Sequence, residues 1–264
     1  MLGRLIFACS CLILLAHPAR ADACTLVTEL GTGRVLKREG DCERRNSPAS
    51  TFKVPLSLMG YDAGILKTED EPAWPYKPEY KAWNEAWRKT ITPRPWLRDS
   101  VVWYSQVLTR EMGMERFQRY VDAFQYGNRD ISGDRGKANG LTHSWLSSSL
   151  QVSPVEQLGF LTKLLNRELP VSAKAHEMTL AIMPTFPLPD GWTAYGKTGS
   201  GFQPSRNGNP NRERQFGWFI GWAQKGERRI IFTRLIRDER KESSVASFRA
   251  RDSLLAELPA LIGD

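Results

Sequence analysis

Residues 47–55 read SPASTFKVP, with Ser50 three positions ahead of Lys53 and Val54, Leu56, Leu58 and Met59 directly behind the lysine. Lysine is rarely fully buried, because a low-dielectric surrounding penalises its ammonium form. A serine and a lysine one helical turn apart at the entrance of an apolar run therefore have two readings. The bland one is a helix start followed by a surface lysine. The chemical one is a hydroxyl nucleophile whose base lies on the same helix face and is kept uncharged by burial. This is the one Ser-x-x-Lys spacing in the chain, yet about one is expected by chance, so the pair needs support from elsewhere. Locally, Ser47 is expected to cap a helix with Pro48 as its first residue, and Pro55 to set those first turns apart from the apolar segment behind it.

Working towards the N-terminus, CTLVTELGTGRVLKREGDC (24–42) places two strand-like runs around Gly31-Thr32-Gly33. Folding this hairpin about residue 33 sets Cys24 opposite Cys42, which reads as a structural disulfide. Residues 1–21 have the form of a secretory signal: Arg4, an apolar run through Leu15, and Ala19-Arg20-Ala21 before the expected cleavage point. Lipid attachment at Cys24 is the alternative, weakened by the absence of the usual leucine. The apolar run is too short to span a bilayer stably, and no long uncharged stretch comes after it. The mature chain is thus expected to be exported and periplasmic. Loss of Arg4 and Arg20 leaves 35 basic residues against 29 acidic, a net charge of +6. Without a block of five or more Lys or Arg, that charge reads as solvated surface and not as a nucleic-acid site.

Working towards the C-terminus, apolar spacing over 100–124 predicts a helix, and Ser153-Pro154 opens another through Leu165. Residues 192–197, 216–224 and 228–236 are aromatic and β-branched and predict antiparallel strands, closed by a helix over about 243–259. The polar stretch 199–217 reads as a loop that shapes substrate preference. The order hairpin, helices, strands, helix predicts an α+β fold: an antiparallel sheet flanked by helices plus a helical lobe. One catalytic domain is expected over 22–264. Its α/β lobe would take about 22–46 and 190–264 and its mainly helical lobe about 47–189, with the site between them.

The support for Ser50–Lys53 comes in chain order: Ser100-Val101-Val102, Tyr126-Gly127-Asn128, Trp145, and Lys197-Thr198-Gly199 on a predicted strand. With these motifs the chain resembles the class D serine β-lactamases, the oxacillinases, over essentially its whole mature length. The stretch WLSSSLQVSPVEQLGFLTKLLNRELPVS also resembles the class D segment around its active-site tryptophan, here Trp145.

The resemblance implies a β-lactamase/transpeptidase-like fold and hydrolysis of β-lactam antibiotics through an acyl-enzyme at Ser50. It implies no cofactor beyond carbon dioxide or bicarbonate, which would convert Lys53 to an N-carboxylate that serves as general base. Walls formed by Phe52, Val102 and Leu146 would desolvate that lysine, and the Trp145 indole N–H would hold the carbamate. Ser100 would relay a proton to the lactam nitrogen. Lys197, Thr198, Gly199 and Ser200 would line the substrate, with the backbone N–H groups of Ser50 and Ser200 as oxyanion hole. Arg251 would take the substrate carboxylate, with Arg249 as the neighbouring alternative. No metal is expected, since His143 and His176 are the only mature histidines, and a structural or surface role for His143 is favoured over a Ser-His-Asp triad. Trp74, Trp83, Trp87 and Trp96 read as packing residues and not as a carbohydrate platform. Two other readings stay open: a penicillin-binding sensor domain acylated at Ser50 without turnover, and a small cell-wall transpeptidase or carboxypeptidase.

Overall fold

The computed structural model describes residues 22–205, 207 and 210–263; the predicted leader lies outside the described residues. Six strands form one antiparallel sheet: β1 (Asp22–Glu29), β2 (Val35–Glu39), β3 (Thr185–Pro187), β4 (Thr193–Pro204), β5 (Pro210–Lys225) and β6 (Arg228–Arg237). Their spatial order is β2-β1-β6-β5-β4-β3, so the N-terminal strand pairs with the last strand of the chain. A long excursion between β2 and β3 carries a 3₁₀ turn (Ala49–Phe52) and seven α-helices. These are α1 (Lys53–Asp62), α2 (Pro93–Arg98), α3 (Val102–Met112), α4 (Met114–Ala123), α5 (Gly140–His143), α6 (Pro154–Leu165) and α7 (Ala173–Ala181). The closing helix α8 (Ala246–Ile262) returns to the sheet.

Both sheet faces are covered, which is why β5 and β6 read as nearly continuous apolar runs. Alternate residues explain how. Phe219, Ala223, Ile230 and Phe232 join Ala250, Leu254, Leu258 and Ile262 of α8 in one cluster. Trp218, Ile220, Trp222 and Ile231 join the larger core built from α1, α3, α4 and α6. Gly217 lets α8 begin directly on β5: a Cβ there would lie 2.1 Å from the carbonyl carbon of Ala246.

Several local expectations are corrected. The predicted disulfide forms, with the Cα atoms of Cys24 and Cys42 5.1 Å apart, but the hairpin register differs. Thr25 pairs with Glu39 and a bulge follows Val27, so Cys42 reaches Cys24 from beyond the end of β2. The bridged Cys24 is fully buried and unavailable for lipid attachment. The helix expected over 100–124 is two helices, broken at Gly113, whose φ of 78° leaves the helical region. The stretch 199–217 is not simply loop: β4 and β5 run on as a ladder to Pro204 and from Pro210. Its backbone hydrogen bonds need no apolar side chains, so composition concealed it. The helix over 154–165 forms as expected, with a full capping box between Ser153 and Glu156.

Ser47 is not a helix cap. Its hydroxyl donates to the Trp145 carbonyl at 2.8 Å and accepts from the Ser147 N–H at 2.9 Å. The short 3₁₀ turn starts later, and α1 begins at Lys53, which places Pro55 in the first turn of an α-helix, where a missing N–H costs nothing. The expected break at Pro55 is not seen: the 3₁₀ turn runs directly into α1 at Lys53, and the proline is accommodated within the helix.

Candidate active site

Ser50 sits in the 3₁₀ turn and Lys53 opens α1, so the i, i+3 spacing brings the two side chains together. Lys53 Nζ donates to Ser50 Oγ at 3.1 Å. The lysine is 1% exposed and forms no ion pair among the described residues. Burial, and then repulsion from Lys197, hold its amine well below the usual lysine range.

The turn is fixed from several sides. From α6, Gln157 Nε2 donates to Thr51 Oγ1 at 2.9 Å, and the Tyr126 hydroxyl donates to Gln157 Oε1 at 3.1 Å. From the segment before α6, Trp145 stacks on Phe52 with centroids 5.6 Å apart. From β4, Gly199 lies so close that a Cβ there would be 2.8 Å from Pro48 O, 3.0 Å from Thr51 N and 3.1 Å from Ser50 N. From β5, the Trp218 indole adds a bond to the Ser47 carbonyl at 2.9 Å.

In front of Ser50 opens a cavity of about 910 Å³. Of the residues singled out in the sequence, Ser50, Ser100, Val102, Lys197, Thr198, Gly199, Ser200 and Arg251 line it. Lys53 and Trp145 lie behind this lining, both buried. Leu146, expected as a wall, is half-buried and outside the lining. Ser100 follows α2 in the left-handed region, at φ 58°, and accepts a hydrogen bond from Lys197 Nζ, which also donates to the Thr198 carbonyl. Burial lowers Lys197 to about 7, against an opposing attraction from Asp99. Ser200 Oγ donates to Ser247 Oγ at 2.6 Å. Arg251 faces the cavity, whereas Arg249 is turned to the buried Asp238 at 2.6 Å.

The Tyr126-Gly127-Asn128 triplet lies outside the lining and supports it from behind. Gly127 has φ 55° and lies against the Gln151 carbonyl, while Asn128 donates to the Ser149 carbonyl and accepts from the Gln151 N–H. His176 is enclosed by the Leu164 and Leu169 carbonyls, and His143 is bonded to Thr142, as expected for structural histidines. Trp74, Trp87 and Trp96 pack in the helical region as expected, Trp87 also bordering the cavity, whereas Trp83 is exposed beside the cavity, a departure from the packing role. Asp99, Ser247 and Phe248 also line it and went unrecognised in the sequence; only the position of Asp99, directly before Ser100, offered a signal.

One polar atom at the centre has no partner. Trp145 Nε1 is buried and donates to nothing among the described residues, which is unusual for an indole N–H. Its ring stacks on Phe52, directly before Lys53, so an acceptor carried by that lysine would be compatible with the orphan donor.

Residues 23–256 match the penicillin-binding protein transpeptidase domain family. The chain is 46% identical to beta-lactamase OXA-9 of Klebsiella pneumoniae, covering 91% of this chain and 88% of that one. It is 35% identical to beta-lactamase OXA-1 of Escherichia coli over 91% of this chain and 85% of that one. Among solved structures, the OXA-427 class D β-lactamase superposes with a TM-score of 0.84 at 46% identity, covering 90% of this chain and 97% of that one. With a cavity-lining serine bonded to a buried lysine, a second serine–lysine pair in the same cavity, and relatives of this closeness over nearly the whole described chain, the protein belongs to the class D serine β-lactamases.

Proposed function

We propose that the protein is an exported, periplasmic hydrolase of β-lactam antibiotics that works through an acyl-enzyme at Ser50. The observation that carries this reading is the buried Lys53 amine 3.1 Å from Ser50 Oγ, together with the partnerless indole N–H of Trp145, whose ring stacks on Phe52. An amine kept neutral by burial is nucleophilic towards carbon dioxide, and Trp145 Nε1 would hold the carbamate so formed. Carboxylated, Lys53 supplies a general base for both acylation and deacylation.

Ser50 Oγ adds to the lactam carbonyl and gives up its proton, and the carbonyl oxygen is received by the backbone N–H groups of Ser50 and Ser200. When the C–N bond breaks, Ser100 passes a proton to the lactam nitrogen, with Lys197 hydrogen-bonded behind it. Thr198 and Arg251 take the substrate carboxylate, for which a planar guanidinium is well shaped. Gly199 holds β4 against the nucleophile turn. Water then adds to the ester, releasing the opened product and restoring the Ser50 hydroxyl. The two predicted lobes, about 22–46 with 190–264 and about 47–189, would close around this cleft.

Hydrolysis of a chromogenic cephalosporin, measured with and without bicarbonate alongside intact mass, tests the reading. Sustained turnover that rises with bicarbonate is expected. Lys53→Ala should leave a stalled adduct at Ser50. One equivalent of stable adduct on the wild-type protein, without turnover, would instead mean a penicillin-binding sensor or a cell-wall enzyme.

A further inference from the structure

The first turn of α8 brings an exposed ring to the cavity. Phe248 is 48% exposed and lines the cavity with Arg251, which stands one turn further along the same helix face. The Arg251 guanidinium lies over the Phe248 ring, 4.9 Å from its centroid, and over the Phe186 ring of β3, 5.8 Å from its centroid. Its Nε donates to Asp252 Oδ1 at 2.7 Å, and that side chain is 62% exposed. The two Nη groups make no hydrogen bond among the described residues. The supports are themselves fixed. Phe186 is paired with Ala194 in the β3–β4 ladder and sets its ring edge-on to Phe219 at 5.6 Å. The start of α8 is held by the Ala246 N–H, which donates to Gln215 Oε1, and by the pair from Arg249 to Asp238.

We infer that Phe186 and Phe248 are positioning residues for Arg251: one ring on β3 and one on α8 confine its guanidinium, so that its free edge is ready for the carboxylate of a β-lactam. This rests on the function proposed above, in which Arg251 takes that carboxylate. A long arginine side chain loses rotamer entropy whenever a ligand fixes it, and fixing it beforehand removes that loss from binding. Aromatic faces attract a guanidinium while leaving its in-plane N–H groups free, whereas a carboxylate partner occupies them. Asp252 occupies Nε alone. With rings against the guanidinium plane and Nε engaged, the Nη edge remains for a planar anion. The two rings differ in what else they do. Phe186 also packs with the cluster between the sheet and α8. Phe248 is half in solvent, and its one ring interaction among the described residues is with Arg251. An apolar ring left so exposed at a cavity gains little from burial, and the contact with Arg251 gives it a task.

The test compares the wild-type protein with Phe248→Leu and Phe248→Tyr on a chromogenic cephalosporin and on its methyl ester, which carries no carboxylate. Phe248→Leu keeps an apolar side chain at the cavity but removes the ring face, so KM for the anionic substrate should rise about three- to five-fold with kcat unchanged. Phe186→Leu should raise KM in the same way, and Phe248→Tyr should keep the wild-type value. On the ester these proteins should not differ, and in an Arg251→Gln background Phe248→Leu should lose its effect. Nitrogen-detected NMR of the Arg251 side chain reads the contact itself: the upfield shift imposed by the ring should vanish in Phe248→Leu and persist in Phe248→Tyr. An unchanged KM in either leucine variant would overturn the inference. So would an equal rise on the ester, which would make Phe248 an apolar contact for the substrate and not a support for Arg251. If the wild-type protein is acylated without turnover, the second-order rate of acylation reads the same ratios. If the NMR shift follows the ring while β-lactams neither acylate the protein nor are hydrolysed, the positioning of Arg251 stands and the proposed function falls.

Discussion

Gly199→Ala puts one methyl group into the contact that joins the sheet to the nucleophile turn. The added carbon would meet three backbone atoms of residues 48–51, the nearest at 2.8 Å, and no flexible side-chain tip is among them. Backbone on both sides must therefore move. Overpacking of this kind costs about 1–3 kcal/mol of stability. The kinetic effect should be larger in proportion, because the displaced turn carries Ser50 and the backbone N–H proposed for the oxyanion hole. A shift approaching 1 Å at a reacting group lowers rate by about 10²-fold. Urea unfolding followed by circular dichroism reads the first effect, and kcat/KM on a chromogenic cephalosporin reads the second. Gly159→Ala is the internal control. Gly159 lies on the exposed side of α6 with nothing within 4 Å of the added carbon, so the same change should stabilise the helix by about 0.5–1 kcal/mol and leave kcat/KM alone. A Gly199→Ala protein with wild-type stability and wild-type kcat/KM would refute the claim that this contact sets the position of Ser50.

Trp145→Phe keeps a ring stacked on Phe52 but removes the orphan N–H, so turnover should fall and recover at higher bicarbonate; identical bicarbonate dependence in the two proteins would argue against the indole as carbamate donor. Lys197 also predicts a pH dependence of folding. Its folded-state pKa is lowered to about 7 from the usual 10.5, so the unfolded chain binds the extra proton between those values and stability should rise with pH across that window. Lys197→Met should lack this rise, which urea unfolding at pH 7, 8.5 and 10 would reveal as a narrowing gap between the two proteins. Reducing Cys24–Cys42, or replacing both by serine, should lower unfolding free energy by about 3 kcal/mol for a bridge spanning 18 positions, as denaturant midpoints would show. The kcat should be unchanged, since neither cysteine lines the cavity.

Much of the site was legible because its chemistry is written in short spacings. Ser50 and Lys53 must be three apart to share a turn, and Lys197-Thr198-Gly199 must alternate along a strand to present its side chains to a cavity. The strands β5 and β6 were legible because burial on both faces leaves long apolar runs. What the sequence concealed were relationships between distant segments. The part of Gly199 is visible only when Pro48 O lies beside it, and a glycine in a strand announces nothing by itself. Ser47 has the look of a helix cap, yet its hydroxyl goes to Trp145 and Ser147, a tertiary partnership that outcompetes local capping. Trp83 resembles a packing tryptophan until the cavity opens next to it. Asp99 was hidden in a polar run, WLRDS, where an acidic residue beside an arginine is ordinarily surface.

The pairing of β1 with β6 has a bearing on how the molecule is made. The bond from Arg234 to Thr25 closes a loop of 209 positions, so the first strand waits for the last before its inner edge is covered. Contacts between segments so far apart in the chain are formed late and slowly during folding. The wall of the cleft that Lys197 and Gly199 supply comes from the same late-arriving part of the polypeptide. A nascent chain that has finished its helices thus holds Ser50 and Lys53 without the strand that confines them, and reactivity is acquired only as the polypeptide is completed.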